Sequence, residues 1–144
     1  MGTIRDFQLA MAMESENLRL DPEVCLRGVS RVFAEPALGE YWIMEIPGPD
    51  GRPRIVGCTL IQTEWSDWRA RKVLWIHSLY VLPEFRGQGL TREIYETFRS
   101  RVKSDANLAG LRLYVDQKNP NAIAVYEKMG MTREHYHLYE WMKS

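Results

Sequence analysis

Cysteine is scarce in this chain. Only Cys25 and Cys58 occur among 144 residues, too few for a disulfide framework, and neither belongs to a metal-type Cys-x-x-Cys pair. A reducing interior, the cytoplasm, is the expected compartment. Long apolar runs are missing as well: none approaches the roughly 18 residues that suggest a membrane span, and Met1-Gly2-Thr3-Ile4-Arg5-Asp6 has no apolar signal region behind its arginine. Asp6 stands where a myristoylation signal after Gly2 needs Ser or Thr. There is no excess charge of either sign, since 19 Lys and Arg balance 19 Asp and Glu. Such a surface offers no long-range field for a polyanion, which argues against nucleic acid or a membrane as partner. Any anion site must be local. Repeats and low-complexity linkers are lacking too, so residues 1–144 read as one domain. With 45% apolar residues a core is within reach, because about 150 residues bury roughly two-thirds of the surface their unfolded chain exposes.

What is present falls into a clear order of periods. Phe7, Ala10, Met11 and Leu18 lie near one stripe of a 3.6-residue repeat, and Asp21-Pro22-Glu23 announces a second helix. Asp21 suits the N-cap, Pro22 the first helical position and Glu23 the positive dipole end. Val24, Leu26, Val29, Val32 and Phe33 carry an apolar face up to Glu35-Pro36. The period then shortens. Tyr41 to Ile46 and Ile55 to Ile61 read as a hairpin around Pro49-Asp50-Gly51, and residues 73–82, rich in β-branched and aromatic side chains, read as a central strand ending at Pro83. Leu90, Ile94, Tyr95, Phe98 and Val102 return to helical spacing, residues 111–115 form a short strand, and Asn119-Pro120 opens a helix closed by Gly130. Residues 132–141 form a last strand. The sequence of elements predicts an α/β (α+β) chain in which all strands share one mixed sheet.

The sharpest local feature is Pro83-Glu84-Phe85-Arg86-Gly87-Gln88-Gly89-Leu90-Thr91, between a buried-type strand and a helix. A turn there aims backbone N–H groups along a helix dipole, glycines admit a ligand close to the backbone, and Arg86 adds a positive charge. This suits a phosphate or pyrophosphate; the competing reading is a tight turn without a ligand. Two nucleotide motifs are excluded on residues. No Gly-Lys pair exists for a Walker loop, and Arg92 stands where the dinucleotide fingerprint needs its last Gly or Ala.

The loop resembles the acyl-coenzyme A signature of the GNAT superfamily of N-acetyltransferases: Arg or Gln, two residues, Gly, one residue, Gly or Ala. Arg86, Gly89 and Thr91 occupy those positions, Thr91 departing from the pattern. About thirty residues on, Asn119-Pro120-Asn121-Ala122-Ile123-Ala124-Val125-Tyr126-Glu127-Lys128-Met129-Gly130 is similar to the same superfamily's Asn-x-x-Ala-x-x-x-Tyr-x-x-x-Gly segment. Glu64-Trp65-Ser66-Asp67-Trp68-Arg69 also resembles a bacterial subgroup of small acetyltransferases. The resemblance implies a mixed, mostly antiparallel twisted sheet flanked by helices. The superfamily usually begins with a strand; here that first strand is expected to be missing or rudimentary, leaving an edge open to a partner subunit in a homodimer.

The resemblance also implies chemistry. Acetyl-coenzyme A is the expected co-substrate and a small primary amine the acceptor, with no metal. Leu79, Tyr80 and Val81 would splay from the following strand to admit the pantetheine arm, a backbone N–H near Tyr80 or Val81 meeting the thioester oxygen. Arg86, Gly87, Gln88, Gly89, Leu90 and Thr91 would cradle the diphosphate, and Asn119 would bind the pantetheine arm or cap its helix. Tyr126 matches the tyrosine that protonates the departing thiolate; packing against the sheet is its structural alternative. His77 stands where several members carry a carboxylate that relays the amine proton. Its imidazole could act as base, with Glu64 and bulk water as alternatives. His135 and His137 share a strand face but fall short of the three or four protein ligands usual for zinc. Trp65 and Trp68 flank a polar turn and could shape a pocket or a subunit contact. A non-catalytic acyl-coenzyme A binding module of the same fold remains the alternative function.

Overall fold

The computed structural model describes residues 1–133 and 137–143. The chain falls into two compact units, Met1–Tyr114 and Val115–Ser144. The first contains helices α1 (Gly2–Glu16) and α2 (Pro22–Ala34), strands β1 (Glu40–Pro47), β2 (Pro53–Ser66) and β3 (Arg71–Val81), helix α3 (Leu90–Ser104) and strand β4 (Leu108–Leu113). The second contains α4 (Pro120–Lys128). The sheet runs in the order β1-β2-β3-β4, antiparallel except for the parallel pair β3 and β4. That parallel pair is joined through α3, the crossover that parallel strands require. No strand precedes β1 among the described residues, in line with the expected loss of a first strand.

Local signals explain most of the elements. Asp21 accepts from the N–H groups of Glu23 at 2.8 Å and Val24 at 3.1 Å, satisfying two donors that the start of α2 leaves free. Helix α1 stops earlier than its apolar stripe suggests. Asn17 takes a left-handed conformation at φ 52°, and the Leu18 N–H turns back to the Ala12 carbonyl, so Leu18 lies outside the helix and exposed. Strand β2 reaches to Ser66 because Gln62 to Ser66 pair with Trp75 to Arg71 in a second hairpin. Strand β4 begins three residues before its apolar run. Its pairing starts at Lys72 opposite Leu108, and the weak strand formers Ala109 and Gly110 hid that start. The strand expected over 132–141 is absent from the described part of that range, for neither 132–133 nor 137–141 joins a ladder. Strand-type composition does not make a strand without a paired edge. Residues 134–136, including His135, lie outside the described residues.

Helices cover the sheet on both faces. On one face Phe98 and Ile94 of α3 pack on Ile61, Leu74, Ile76 and Val81. Phe98 is 0% exposed, and full burial of such a side chain contributes about 1.5–3 kcal/mol. On the other face Ile4 and Phe7 of α1 and Val29 of α2 pack on Cys58 and Tyr80. The Cys58 thiol is pushed up to about 12 by burial, so it is an inert core group rather than a nucleophile.

One irregularity organises the site. Between Leu60 opposite His77 and Cys58 opposite Tyr80, β3 carries one residue more than β2, a bulge with Ser78 at φ 51°. Thr59 Oγ1 donates to the His77 carbonyl at 2.9 Å and pins it. The extra residue reverses the alternation: Leu74 and Ile76 face α3 before the bulge, whereas Val81 does so after it and Tyr80 turns to α1.

Candidate active site

Strand β4 leaves the sheet after Leu113 opposite Ile76, while β3 continues to Val81. Among the described residues β3 from His77 onward therefore has a ladder on its β2 side alone, and Leu79, Tyr80 and Val81 lie in that stretch. The Leu82 N–H donates to the Val56 carbonyl at 2.8 Å, toward β2. By alternation the Val81 N–H and C=O point the other way, to the unpaired side.

The glycine-rich loop follows. A 3-10 turn at Pro83–Phe85 leads to Arg86, then Gly87 at φ 74° and Gly89 at φ 87°, and α3 starts at Leu90 with Gly89 as N-cap. These positive φ values suit glycine, and a Cβ at either position would meet nothing within 4 Å. The loop backbone is thus open on its outer side. Helix geometry leaves the N–H groups of Leu90, Thr91 and Arg92 without intrahelical acceptors at the positive dipole end. Gln88 folds back, its Nε2 donating to the Glu84 carbonyl at 3.3 Å.

Arg86 is not the free cation that its place in the loop suggests. Its Nε donates to the Val81 carbonyl at 2.8 Å and its Nη2 to Glu14 Oε2 at 2.6 Å. The Tyr80 hydroxyl donates to Glu14 Oε1 at 2.9 Å. The hydrogen bond from Arg86, against an opposing effect of burial and with help from Tyr80, holds the Glu14 carboxyl below the ordinary carboxylate range.

A second feature lies on the sheet face that α1 and α2 cover only at its Cys58 end. Gln62 and Glu64 of β2, Trp75 and His77 of β3, and Arg112 and Tyr114 beside them share that face. Part of it forms a cleft of about 350 Å³ bordered by Ala37 and Leu38 and lined by Gln62, Thr63, Glu64, Trp75, His77 and Tyr114. The rings of Trp75 and His77 stack at 5.7 Å, and that of Tyr114 lies 4.7 Å from Trp75 and 6.3 Å from His77. Glu64 is engaged on both oxygens, by Trp75 Nε1 at 2.5 Å and Arg112 Nη1 at 2.9 Å. Burial lowers the pKa of His77, which keeps the imidazole neutral at neutral pH and able to accept a proton. Trp65 and Trp68, 63% and 87% exposed, do not line the cleft.

Asn119 and Tyr126 belong to the second unit. Asn119 caps α4, accepting from the Ala122 N–H at 3.0 Å. The helix closes on Gly130 at φ 87°, with the Met131 N–H donating to the Tyr126 carbonyl. Tyr126 is half-buried, and burial raises the pKa of its phenol, so it stays protonated across the neutral range. Among the described residues no group of three or more His, Cys, Asp or Glu could hold a metal, and no helix is long and apolar enough to cross a membrane. Sequence reasoning missed Glu14, Arg112, Tyr114 and Gln62. The alternation of Gln62 with Glu64 was the available signal for one of them; Glu14 had none, lying 72 residues from its partner Arg86.

A model of the acetyltransferase (GNAT) family matches residues 10–131. Thialysine N-epsilon-acetyltransferase of Bos taurus is 33% identical over 88 residues, 61% of this chain and 51% of that protein, and the Sus scrofa protein is 31% identical over 101 residues. The chain spans between 51% and 58% of the length of these curated relatives. The crystal structure of a possible acetyltransferase from Clostridium difficile 630 superposes with a TM-score of 0.87 at 32% identity, covering 99% of this chain and 90% of that one. Glucosamine-6-phosphate N-acetyltransferase from Arabidopsis thaliana shares the fold at a TM-score of 0.69 and 17% identity, over 99% of this chain and 92% of that one. With the strand that outruns its neighbour, the glycine loop at the head of α3 and a family match over most of its length, the chain belongs to the GNAT acetyltransferase family.

Proposed function

We propose that this acetyltransferase moves the acetyl group of acetyl-coenzyme A directly to a primary amine of a small molecule, without a covalent enzyme intermediate. The observation that carries the reading is the meeting of two features along β3: a one-sided strand end leading into the open glycine loop, and a cleft beginning at His77. The loop backbone from Gly87 to Thr91 receives the diphosphate, the free side of β3 from Leu79 to Val81 takes the pantetheine arm as a neighbouring strand would lie, and a backbone N–H of that segment stabilises the oxyanion formed at the thioester carbonyl.

The acceptor occupies the cleft. Among the described residues that line it Glu64 alone carries a formal charge, and that charge is paired with Arg112; the aromatic face of Tyr114 beside Trp75 can receive an ammonium. The amine must lose a proton before it attacks. His77 takes it, for the imidazole is neutral and faces the cleft, whereas both oxygens of Glu64 already accept hydrogen bonds. Attack by the neutral amine gives a tetrahedral oxyanion; as it collapses the carbon–sulfur bond breaks, the leaving thiolate takes a proton from Tyr126, the role its matching motif assigns, and the second proton shed by the nitrogen restores the phenol. Asn119 holds its helix start and is available to the pantetheine arm.

Release of free thiol from acetyl-coenzyme A, followed over a panel of small amines, tests this reading. Release that depends on an amine, with the acetylated amine found by mass spectrometry, is expected. Tight binding of coenzyme A with no release on any amine would point instead to an acyl-coenzyme A binding module.

A further inference from the structure

Glu14 sits in the last turn of α1 and is partly exposed, and its two oxygens are divided between two partners from distant parts of the chain. Oε2 accepts from Arg86 Nη2 at 2.6 Å and Oε1 from the Tyr80 hydroxyl at 2.9 Å. Arg86 in turn donates from Nε to the Val81 carbonyl at 2.8 Å, and its guanidinium carbon lies 5.4 Å from the centre of the Tyr80 ring. These contacts close a circuit through the end of α1, the unpaired end of β3 and the first residue of the glycine loop.

Two consequences follow from this circuit. The guanidinium directs Nε to the Val81 carbonyl and Nη2 to the Glu14 carboxylate, so the anion-binding capacity of the loop rests on backbone N–H groups rather than on Arg86. Gln88 on the Glu84 carbonyl and the ion pair of Arg54 with Glu84 at 3.0 Å brace the start of the loop, and the remainder relies on its own backbone. It contains two glycines at positive φ, and its entry is a single 3-10 turn whose last hydrogen bond runs from the Arg86 N–H to the Pro83 carbonyl at 3.2 Å. A backbone that must present several N–H groups to one ligand gains affinity when it is held in place beforehand. Arg86 supplies that hold by bridging the base of the loop to Val81, and Glu14 keeps Arg86 in the bridging geometry.

We propose that Glu14 is a positioning residue for the coenzyme-binding loop: from α1 it holds Arg86 across the loop base and so sets the affinity for the acyl-coenzyme, without touching the ligand. The inference rests on the reading of the loop as the diphosphate site.

Isothermal titration of coenzyme A into the full chain, together with steady-state kinetics, tests it. Glu14→Ala should weaken coenzyme A about fivefold, the upper end of what an exposed ion pair carries. At saturating acetyl-coenzyme A its kcat should stay close to wild type. Arg86→Ala should weaken binding at least as much, and the double variant no further than Arg86→Ala alone, because Glu14 acts through Arg86. Glu14→Gln should recover part of the affinity, since its amide oxygen still accepts from Arg86; it also serves in place of Glu14→Ala if that variant does not fold. Unchanged or tighter binding by Glu14→Ala would mean that the carboxylate only screens the arginine, and additive losses in the double variant would mean that it acts elsewhere. Either overturns the inference while leaving the loop assignment intact. A wild-type chain that binds no coenzyme A overturns both.

Discussion

Replacing Gly89 by alanine separates what the loop does for the fold from what it does for a ligand. Gly89 has φ 87° and ψ 0°, and an added Cβ meets nothing within 4 Å. No clash enters the balance. The left-handed backbone costs an alanine roughly 1–2 kcal/mol, and the stiffer unfolded chain returns about 0.4–1 kcal/mol of that. The net loss is about 1 kcal/mol, or about 4 °C in Tm for a chain of this size. The methyl group, however, stands on the open side where backbone N–H groups would have to approach a diphosphate oxygen to about 2.9 Å. Affinity for coenzyme A should then fall by roughly tenfold or more, equivalent to about 1.4 kcal/mol. Gly51→Ala is the matched control, at φ 77° with equally open space in the β1–β2 turn. Differential scanning fluorimetry should show similar Tm losses for the two variants, and isothermal titration should show weakened binding for Gly89→Ala alone. Wild-type affinity in Gly89→Ala would refute the assignment of the loop as the diphosphate cradle.

Four further outcomes are expected. With His77 as base, the acetylation rate rises with pH through an apparent pKa below 6.5. His77→Ala should flatten that limb and lower turnover by about 10²-fold in a pH–rate series. The same shift has a stability sign: the unfolded chain binds the proton more readily, so the contribution is present above pH 6.5 and lost as pH falls below it, and wild-type Tm should drop relative to His77→Gln on acidification. Tyr126→Phe should lower kcat by about 10²-fold while the coenzyme A Kd measured by titration stays unchanged, and equal turnover would remove Tyr126 from the mechanism. Phe98→Ala, at a fully buried site on α3, should cost about 3–5 kcal/mol and lower Tm by roughly 12–20 °C in a thermal melt.

Much of the fold could be read from local chemistry because short-range rules govern it. Asp21 and Asn119 cap the helices they announce, and Gly130 closes α4 as its position suggests. Gly87 and Gly89 take the positive φ values for which their loop selects glycine. What could not be read depends on pairing between distant segments. The bulge at Ser78 has no signature in serine itself, and it arises from the register between β2 and β3. The start of β4 was misplaced because Ala109 and Gly110 are strand residues by virtue of β3 beside them. The expected strand over 132–141 had suitable composition and no ladder in its described part. For the site, the loop and His77 were legible as motif positions. The partners that define their electrostatics, Glu14 for Arg86 and Trp75 and Arg112 for Glu64, come from elements brought together by folding. The charge expected on Arg86 is paired with Glu14, which its place in the loop did not announce.

A crystal structure with coenzyme A bound would show where each part of the ligand goes. The diphosphate should lie on the backbone N–H groups between Gly87 and Thr91, with Arg86 still on Glu14 and the Val81 carbonyl, and the pantetheine should run along Leu79 to Val81 with its sulfur directed toward the cleft at His77. A diphosphate held chiefly by the Arg86 side chain, or a pantetheine arm away from the unpaired end of β3, would contradict it.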